Sequence, residues 1–318
     1  MKIIGTGSAL PKRIVTNDDL SQIIDTSDEW ITERTGIRER RIVSDETTVS
    51  LAAEAGRKAL ENAGVHAENI DLLIVSTFTP DNSLPNTACA VQRILGCRRA
   101  VAFEMNAACS GFLFALNTAY AYFSLGVYKK ALIIGAETIS KVLNWKDRSS
   151  CILFGDGAGA VVVEKTEKED YLFVQYADGA NGEVLTCRCH REQNIWNDCQ
   201  EEKETLWMDG QEVFKFAVRK VPECIRELLN MAQLSAEEIN WFLLHQANKR
   251  IIQSVAKRLG VKEEKFPMNL EHYGNTSAAS IPILLDEWNR QGYFEEKNKA
   301  ILSGFGAGLT WGAALINF

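Results

Sequence analysis

The sequence predicts an α/β protein built as a five-layer αβαβα sandwich from two halves related by an internal pseudo-twofold. Three observations carry the prediction. Strand and helix patterns alternate along the chain, the second half repeats the first at a constant spacing, and one helical segment in each half is apolar nearly all round. The length of 318 residues suggests two globular units at roughly 150 residues each, and 46% hydrophobic residues supply a sizeable core. The division falls at 1–170 and 171–318.

The repeat is read by self-comparison. Leu60-Glu-Asn-Ala63-Gly-Val65 followed by Ile70-Asp71-Leu72-Leu-Ile74 resembles Leu229-Asn-Met-Ala232-Gln-Leu234 followed by Ile239-Asn240-Trp241-Phe-Leu243. The spacing is 239 minus 70, or 169, and it is expected to run without a gap. Asn106 falls on Asn275, Lys130-Ala131-Leu-Ile-Ile-Gly135 on Lys299-Ala300-Ile-Leu-Ser-Gly304, and Lys2-Ile-Ile on Tyr171-Leu-Phe.

Each half then reads strand (2–6; 171–177), helix (49–63; 211–232), strand (71–77; 240–245), helix (85–96; 248–259) and strand (100–105; 265–270). A further helix (110–126; 277–290) and two closing strands follow, and such alternation predicts a mainly parallel sheet in each half. The third helix of the first half, from Ala108 to Phe123, has no polar face, and Ser277 to Leu285 matches it. Helices of that kind need cover on every side, which places both between the two sheets. The segment Asp178 to Glu204 is polar and reads as a surface loop with short elements.

Composition excludes several classes. Lys plus Arg number 35 against 42 Asp plus Glu, a net charge of -7, which argues against a nucleic-acid or anionic-membrane binder. The opening Met1-Lys-Ile-Ile-Gly-Thr-Gly7 is too short an apolar stretch for a signal peptide, and no run approaches the ~18 residues of a membrane helix. The eight cysteines are therefore expected as mostly free thiols in the cytoplasm, with room for one reactive thiol among them. Gly155-Asp-Gly157-Ala-Gly159 and Gly304-Phe-Gly306-Ala-Gly308 each run into a strand pattern, so neither is a dinucleotide fingerprint, which needs a helix there.

Three residues suggest chemistry. Cys109 opens the apolar helix, where the positive end of the macrodipole favours a thiolate. Against this stands the small buried hydrophobe that most cysteines are. His245 ends the apolar strand Trp241-Phe-Leu-Leu244, at the strand end where α/β sheets present functional groups, although a core histidine would look the same. Asn275 precedes the second apolar helix and would serve as an N-cap, yet the 169 spacing sets it opposite Asn106, three residues before Cys109. The repeat thus brings Asn275 close to the pseudo-axis where Cys109 sits, and with His245 the three form one constellation.

At these residues the sequence resembles the β-ketoacyl-acyl carrier protein synthase III family, initiating condensing enzymes of thiolase-like fold. The resemblance covers nearly the whole chain and rests on Gly5-Thr-Gly-Ser, Asp25-Thr-Ser-Asp-Glu-Trp30-Ile, Arg34-Thr-Gly-Ile-Arg-Glu-Arg40, Ala107-Ala-Cys-Ser-Gly-Phe112, Phe154-Gly-Asp-Gly-Ala-Gly159, His245-Gln-Ala-Asn248, Gly274-Asn-Thr-Ser-Ala-Ala-Ser280 and Gly304-Phe-Gly-Ala-Gly308-Leu-Thr-Trp-Gly312. A Cys-His-Asn set resembles the initiating type, whereas elongating synthases carry Cys-His-His.

The resemblance implies that Cys109 takes the acyl group of a short acyl-CoA, and that malonyl-acyl carrier protein then loses carbon dioxide and condenses with it to start fatty acid synthesis. His245 and Asn275 would donate hydrogen bonds to the malonyl thioester oxygen, and the backbone N–H groups of Cys109 and Ala307 would form a second oxyanion site. Many relatives have glycine where Ala307 stands. Coenzyme A would lie with adenine between Trp30 and Arg148, near Arg34 and Thr26, with Gly210, Phe214 and Asn248 along the pantetheine. Leu84, Ile139 and Phe305 would shape the acyl pocket, Leu84 reaching across a homodimer. Lys215, Gln246, Ala247, Asn248, Lys249, Arg250, Lys257 and Arg258 would face the acidic carrier protein. No cofactor, nucleic acid or membrane is implied.

Cys187, Cys189, His190 and Cys199 depart from the family, but their spacing fits no established zinc site, and no metal is expected. Other readings are an acyltransferase or secondary-metabolite starter enzyme of the same superfamily, and an acyl-CoA binding module without catalysis. The module predicts no covalent adduct on Cys109.

Overall fold

The computed structural model describes residues 1–167, 171–187 and 205–318. The first half contains β1 (Lys2–Ala9), β2 (Arg13–Thr16), α1 (Asn17–Ser21), α2 (Asp28–Thr35), β3 (Glu39–Ile42), α3 (Thr48–Ala63), β4 (Leu72–Ser76), α4 (Thr87–Leu95), β5 (Val101–Met105), α5 (Gly111–Ser124), β6 (Lys130–Glu137) and β7 (Gly157–Glu164). The second contains β8 (Leu172–Ala177), β9 (Leu185–Thr186), β10 (Trp207–Met208), α6 (Gly210–Ala232), β11 (Trp241–Leu244), α7 (Lys249–Leu259), α8 (Leu270–Tyr273), α9 (Ser280–Arg290), β12 (Lys299–Gly306) and β13 (Thr310–Asn317).

The five expected layers are present. One sheet has the order β1-β7-β6-β4-β5 and the other β11-β12-β13-β8. Between them, α5 packs on β4 and β6 of the first sheet and on β12 and β13 of the second, while α9 packs on β1, β7 and β11. Outside, α3 and α4 cover the first sheet, and α6 with α7 covers the second. The side chains of Phe112, Leu113, Leu116 and Phe123 on α5 are at most 1% exposed, so this helix is held by burial, at about 1.5–3 kcal/mol for each large apolar side chain.

The 169 spacing reappears in local geometry. Asp71 accepts from the N–H of Lys130 at 3.1 Å, and Asn240, 169 residues on, accepts from the N–H of Lys299 at 2.9 Å. Helix α3 ends in left-handed Gly64 (φ 62°) and α6 in left-handed Gln233 (φ 55°). Strands β6 and β12 begin at 130 and 299. The spacing is not unbroken, however: α4 begins at 87 and α7 at 249, a difference of 162, because a longer segment joins β4 to α4 than joins β11 to α7.

Two other expectations are corrected. The sheets are mixed: β4 pairs with β5 and β6 in parallel, but β7 runs antiparallel to both β1 and β6, and in the second sheet only the β11–β12 pairing is parallel. The short turn between β12 and β13 forces the antiparallel return. No strand forms at 265–270. Phe266-Pro267 sits there, and Pro267 has no N–H to give a ladder.

The β2–β3 hairpin with α1 and α2 is an insertion that periodicity did not reveal. Fully buried Arg40 pins it to the body, donating to Asn17 Oδ1 at 2.8 Å and to the carbonyl of Ile152 at 2.7 Å. The division expected at residue 170 lies outside the described residues. Among the described residues, no helix is long and apolar enough to cross a membrane.

Candidate active site

Two pseudo-equivalent turns build the floor of a cavity of 660 Å3. After β5, Asn106 Oδ1 accepts the N–H of Ala108 at 3.0 Å, Ala108 takes φ 46°, and one 3-10 turn, Ala108–Ser110, carries Cys109 into α5. In the other half, Asn275 Oδ1 accepts the N–H of Ser277 at 2.9 Å, Ser277 takes φ 49°, and the turn Ser277–Ala279 leads into α9. The turns pack against each other. Cys109, His245 and Asn275, all buried, line the same cavity, together with Asn106, Phe305 and Ala307.

His245 leaves β11, its N–H bonded to the carbonyl of Ser303 at 2.9 Å. Its Nδ1 lies 2.7 Å from Ser280 Oγ at the start of α9, and its ring meets Phe305 edge-on at 5.1 Å. Burial pushes the imidazole down to about 3, so it is neutral at physiological pH. Gly306 brings the β12 backbone against the cysteine: a Cβ there would lie 2.8 Å from Cys109 Cβ and 2.9 Å from Cys109 N. That approach sets the Ala307 peptide beside the thiol.

The helix start does not make Cys109 a thiolate at rest, contrary to expectation. Burial pushes the thiol up to about 12; a hydrogen bond with Ser277 opposes this and the charge of Glu137 adds to it. A helix N-terminus supplies about 0.3–1 kcal/mol, less than one pKa unit at ~1.4 kcal/mol, so desolvation wins. Cysteine and histidine are both neutral here, and nucleophilic attack by Cys109 must move a proton.

At the cavity mouth lie Trp30, Arg34, Gly210, Phe214, Ala247, Asn248 and Arg250. Asn248 caps α7, accepting from the N–H of Arg250 at 2.8 Å, and its Nδ2 donates to the carbonyl of Arg34 at 3.2 Å, tying α7 to the hairpin insertion. The guanidiniums of Arg34 and Arg148 already lie over Trp30, at 4.4 and 4.6 Å from the ring centre. Arg148 also donates to the carbonyl of Asp25 at 2.8 Å. The Thr26 hydroxyl is buried without a hydrogen-bond partner.

Other expected residues are placed differently. Gln246 is 1% exposed, its amide donating to the carbonyl of Leu244 at 2.8 Å and accepting the N–H of Asn269 at 3.1 Å, so it cannot face a carrier protein. The resemblance implied a carrier-facing residue here; the buried amide instead pins the segment around Asn269. Ile139 is fully buried behind the cavity wall beside Phe154 and Leu206. Leu84 is 86% exposed and lines nothing in its own chain's cavity. Lys249, Arg250, Lys257 and Arg258 are exposed on α7, and Lys215 pairs with Glu212 at 2.7 Å. The start of the segment read as a surface loop supplies part of a wall: β9 pairs with β10 just beyond that segment, and Leu185, with Leu206 and Met208 past its end, faces the cavity. Cys187 lines it too, while Cys189, His190 and Cys199 lie outside the described residues.

Sequence reasoning missed Ser280, Ser277 and Glu137. The first two sit in the quoted Gly274 to Ser280 motif, where hydroxyls on an otherwise apolar helix start were a usable signal. Gly157 and Gly159 lie within β7, and Gly304 and Gly306 within β12, which bars a dinucleotide turn at either.

Models for 3-oxoacyl-[acyl-carrier-protein] synthase III match residues 103–193 and, as its C-terminal part, 229–318. A β-ketoacyl-[acyl-carrier-protein] synthase III of Clostridium botulinum is 48% identical over 99% of this chain and 98% of that protein. The crystal structure of 3-oxoacyl-[acyl-carrier-protein] synthase III from Aquifex aeolicus VF5 superposes with a TM-score of 0.93 at 44% identity, covering 100% of this chain and 99% of that one. The priming β-ketosynthase of the R1128 polyketide pathway gives 0.92 at 37%, covering 100% and 96%. With its catalytic-type residues gathered on one cavity and its whole length matched, the chain belongs to the β-ketoacyl-acyl carrier protein synthase III family, enzymes of thiolase-like fold.

Proposed function

We propose that the chain condenses a short acyl-CoA with malonyl-acyl carrier protein, with loss of carbon dioxide, as the initiating step of fatty acid synthesis. The observation that carries this reading is the convergence of Cys109, His245 and Asn275 on one cavity. Cys109 sulfur bonds to the acyl carbon, the carbon–sulfur bond to coenzyme A breaks, and the released thiolate takes a proton from solvent. Malonyl-acyl carrier protein follows; carbon dioxide leaves, and the carbanion attacks acyl-Cys109.

Decarboxylation places negative charge on the malonyl thioester oxygen. Asn275 Oδ1 is committed to the N–H of Ser277, which leaves its amide N–H groups for the cavity. The Ser280 hydroxyl accepts the N–H of Gln246 and lies on His245 Nδ1, so donation to that nitrogen keeps the proton on Nε2, aimed at the same oxygen. A histidine held neutral by burial donates without adding a full charge. Oxyanion donors of this kind are worth about 10²–10³ in rate. The N–H groups of Cys109 and Ala307 serve the acyl carbonyl.

Coenzyme A enters past Trp30. Stacking a purine between Trp30 and a guanidinium needs about 7 Å, two contact distances. Arg148, at 4.6 Å, therefore swings aside when the nucleotide binds. The exposed Lys249, Arg250, Lys257 and Arg258 of α7 meet the acidic carrier, and exposed Leu84 reaches the acyl pocket of a second copy in a cytoplasmic homodimer. The chemistry as written needs no cofactor.

His245→Ala and Asn275→Ala test the assignment. Each should abolish carbon dioxide release from malonyl-acyl carrier protein while Cys109 still gains the acyl mass; loss of both half-reactions together contradicts these roles.

A further inference from the structure

Glu137 ends β6 with its side chain fully buried beneath the cavity floor. Its Oε2 accepts from Thr79 Oγ1 at 2.5 Å, Thr77 Oγ1 at 3.1 Å and the N–H of Phe78 at 3.3 Å. Its Oε1 accepts from Ser277 Oγ at 3.1 Å, and Ser277 lies on the turn packed against the one that carries Cys109, where its side chain acts to lower the pKa of the thiol. Thr77 Oγ1 also accepts the N–H of Thr79 at 3.0 Å, and Thr79 Oγ1 the N–H of Thr138 at 2.8 Å, which leaves each hydroxyl proton free to point at the carboxyl. All of these groups can donate to an ionised Glu137, and among the described hydroxyls on its carboxyl that of Ser277 lies on the turn packed against Cys109.

We infer that Glu137 takes up the Cys109 proton during acylation, through the Ser277 hydroxyl, and returns it when Cys109 leaves at condensation. In the first transfer the S–H bond breaks as a proton passes to Ser277 Oγ, and the serine's own O–H proton passes to Glu137 Oε1. The thiolate formed attacks the thioester, and the protonated carboxyl carries the negative charge no longer. In condensation, the carbon–sulfur bond of acyl-Cys109 breaks, and the departing thiolate recovers its proton by the reverse path. Over one cycle Glu137 is unchanged, and the single proton consumed is the one coenzyme A takes from solvent. Glu137 is thus a positioning residue that holds a proton behind the nucleophile, acting through Ser277.

His245 is a poor alternative acceptor, since burial pushes it down to about 3. Burial pushes Glu137 up to about 8, with the bonds from Thr79, Phe78, Ser277 and Thr77 opposing, so it accepts a proton in its ionised fraction, which grows as pH rises through about 8. The groups packed against its carboxyl are neutral. Of the titratable groups nearby, Cys109 is coupled to it, Asp156 at the foot of β7 is turned to Ser140 and Val43, and His245 is turned to Ser280.

The inference rests on Cys109 being the acylated residue, and the test separates the two. Single-turnover acylation of Cys109 by acyl-CoA is followed by intact mass from pH 6 to 10 in the wild type, Glu137→Gln, Ser277→Ala and the double variant. In the wild type the rate rises through about pH 8, where Glu137 ionises and becomes able to accept. Each single variant is expected to acylate about 10²-fold more slowly and to lose that rise, following only the direct ionisation of a thiol near 12. The double variant should be no slower than the slower single, because both residues lie on one path. If Glu137→Gln does not fold, Ser277→Ala carries the same comparison. A variant that retains the rise near pH 8, or losses that add in the double variant, overturns the relay; a merely structural carboxyl would lower Tm and leave the profile in place. Failure of the wild type to acquire acyl mass on Cys109 sinks the functional reading instead.

Discussion

Gly306→Ala is the sharpest probe of how the nucleophile is held. Gly306 has no left-handed backbone, so alanine strains nothing conformationally and its effect is steric alone. The new methyl would sit 2.8 Å from Cys109 Cβ and 2.9 Å from Cys109 N, against an ordinary carbon–carbon contact of about 3.5–4.0 Å. Cys109 or β12 must therefore shift by roughly 1 Å. Overpacking of this kind costs about 1–3 kcal/mol of stability, while a 1 Å displacement of a reacting group costs about 10²-fold in rate. Gly304→Ala is the graded control, its methyl meeting Ser110 Cα at 3.1 Å and the Cys109 carbonyl oxygen only at an ordinary 3.5 Å. Intact-mass kinetics of Cys109 acylation, with urea unfolding of the same samples, should give a folded Gly306→Ala protein slowed about 10²-fold and a Gly304→Ala protein slowed much less. Acylation of Gly306→Ala at the wild-type rate would refute the account of how β12 positions Cys109.

Further outcomes follow from the same geometry. Arg148→Ala removes the guanidinium proposed to cover a purine on Trp30, so KM for acyl-CoA should rise about 2–5-fold with kcat unchanged, in line with ~0.5–1 kcal/mol for an exposed cation–π contact; an unchanged KM counts against the stacking site. His245 is depressed to about 3 in the folded chain, below its ordinary 6.5, so the unfolded chain binds the proton first as pH falls. Its stabilising contribution is complete above about 6.5 and is lost as pH drops toward 3. Urea unfolding should show wild type losing about 2 kcal/mol relative to His245→Gln between pH 7.5 and 5; parallel pH profiles would contradict the burial argument.

Local signals in the chain carried the layers and the reacting trio. Apolar residues on every side of α5 and through the first turns of α9 call for cover from two sheets, and the 169-residue spacing put Asn275 opposite Asn106. What periodicity missed has physical causes. The direction of β7 and β13 is set by how β6 and β12 turn back, which leaves no mark on strand composition. Pro267 removed a strand that apolar content alone suggested. The rest of the site depends on contacts between distant segments: Glu137 and Ser277 are 140 residues apart in sequence, and Gln246 looks like a surface amide until Asn269 is seen beneath it. The helix-start argument for a Cys109 thiolate gave way because burial, which the apolar helix itself implied, outweighed the macrodipole.

The central claim is that one cavity first stores an acyl group on Cys109 and then decarboxylates the second substrate to use it. Wild-type protein incubated with acetyl-CoA and analysed by intact and peptide mass should carry one acetyl group on Cys109, and adding malonyl-acyl carrier protein should release carbon dioxide as the adduct disappears. A protein that never acquires the adduct, or one that keeps it while no carbon dioxide appears, would contradict the account.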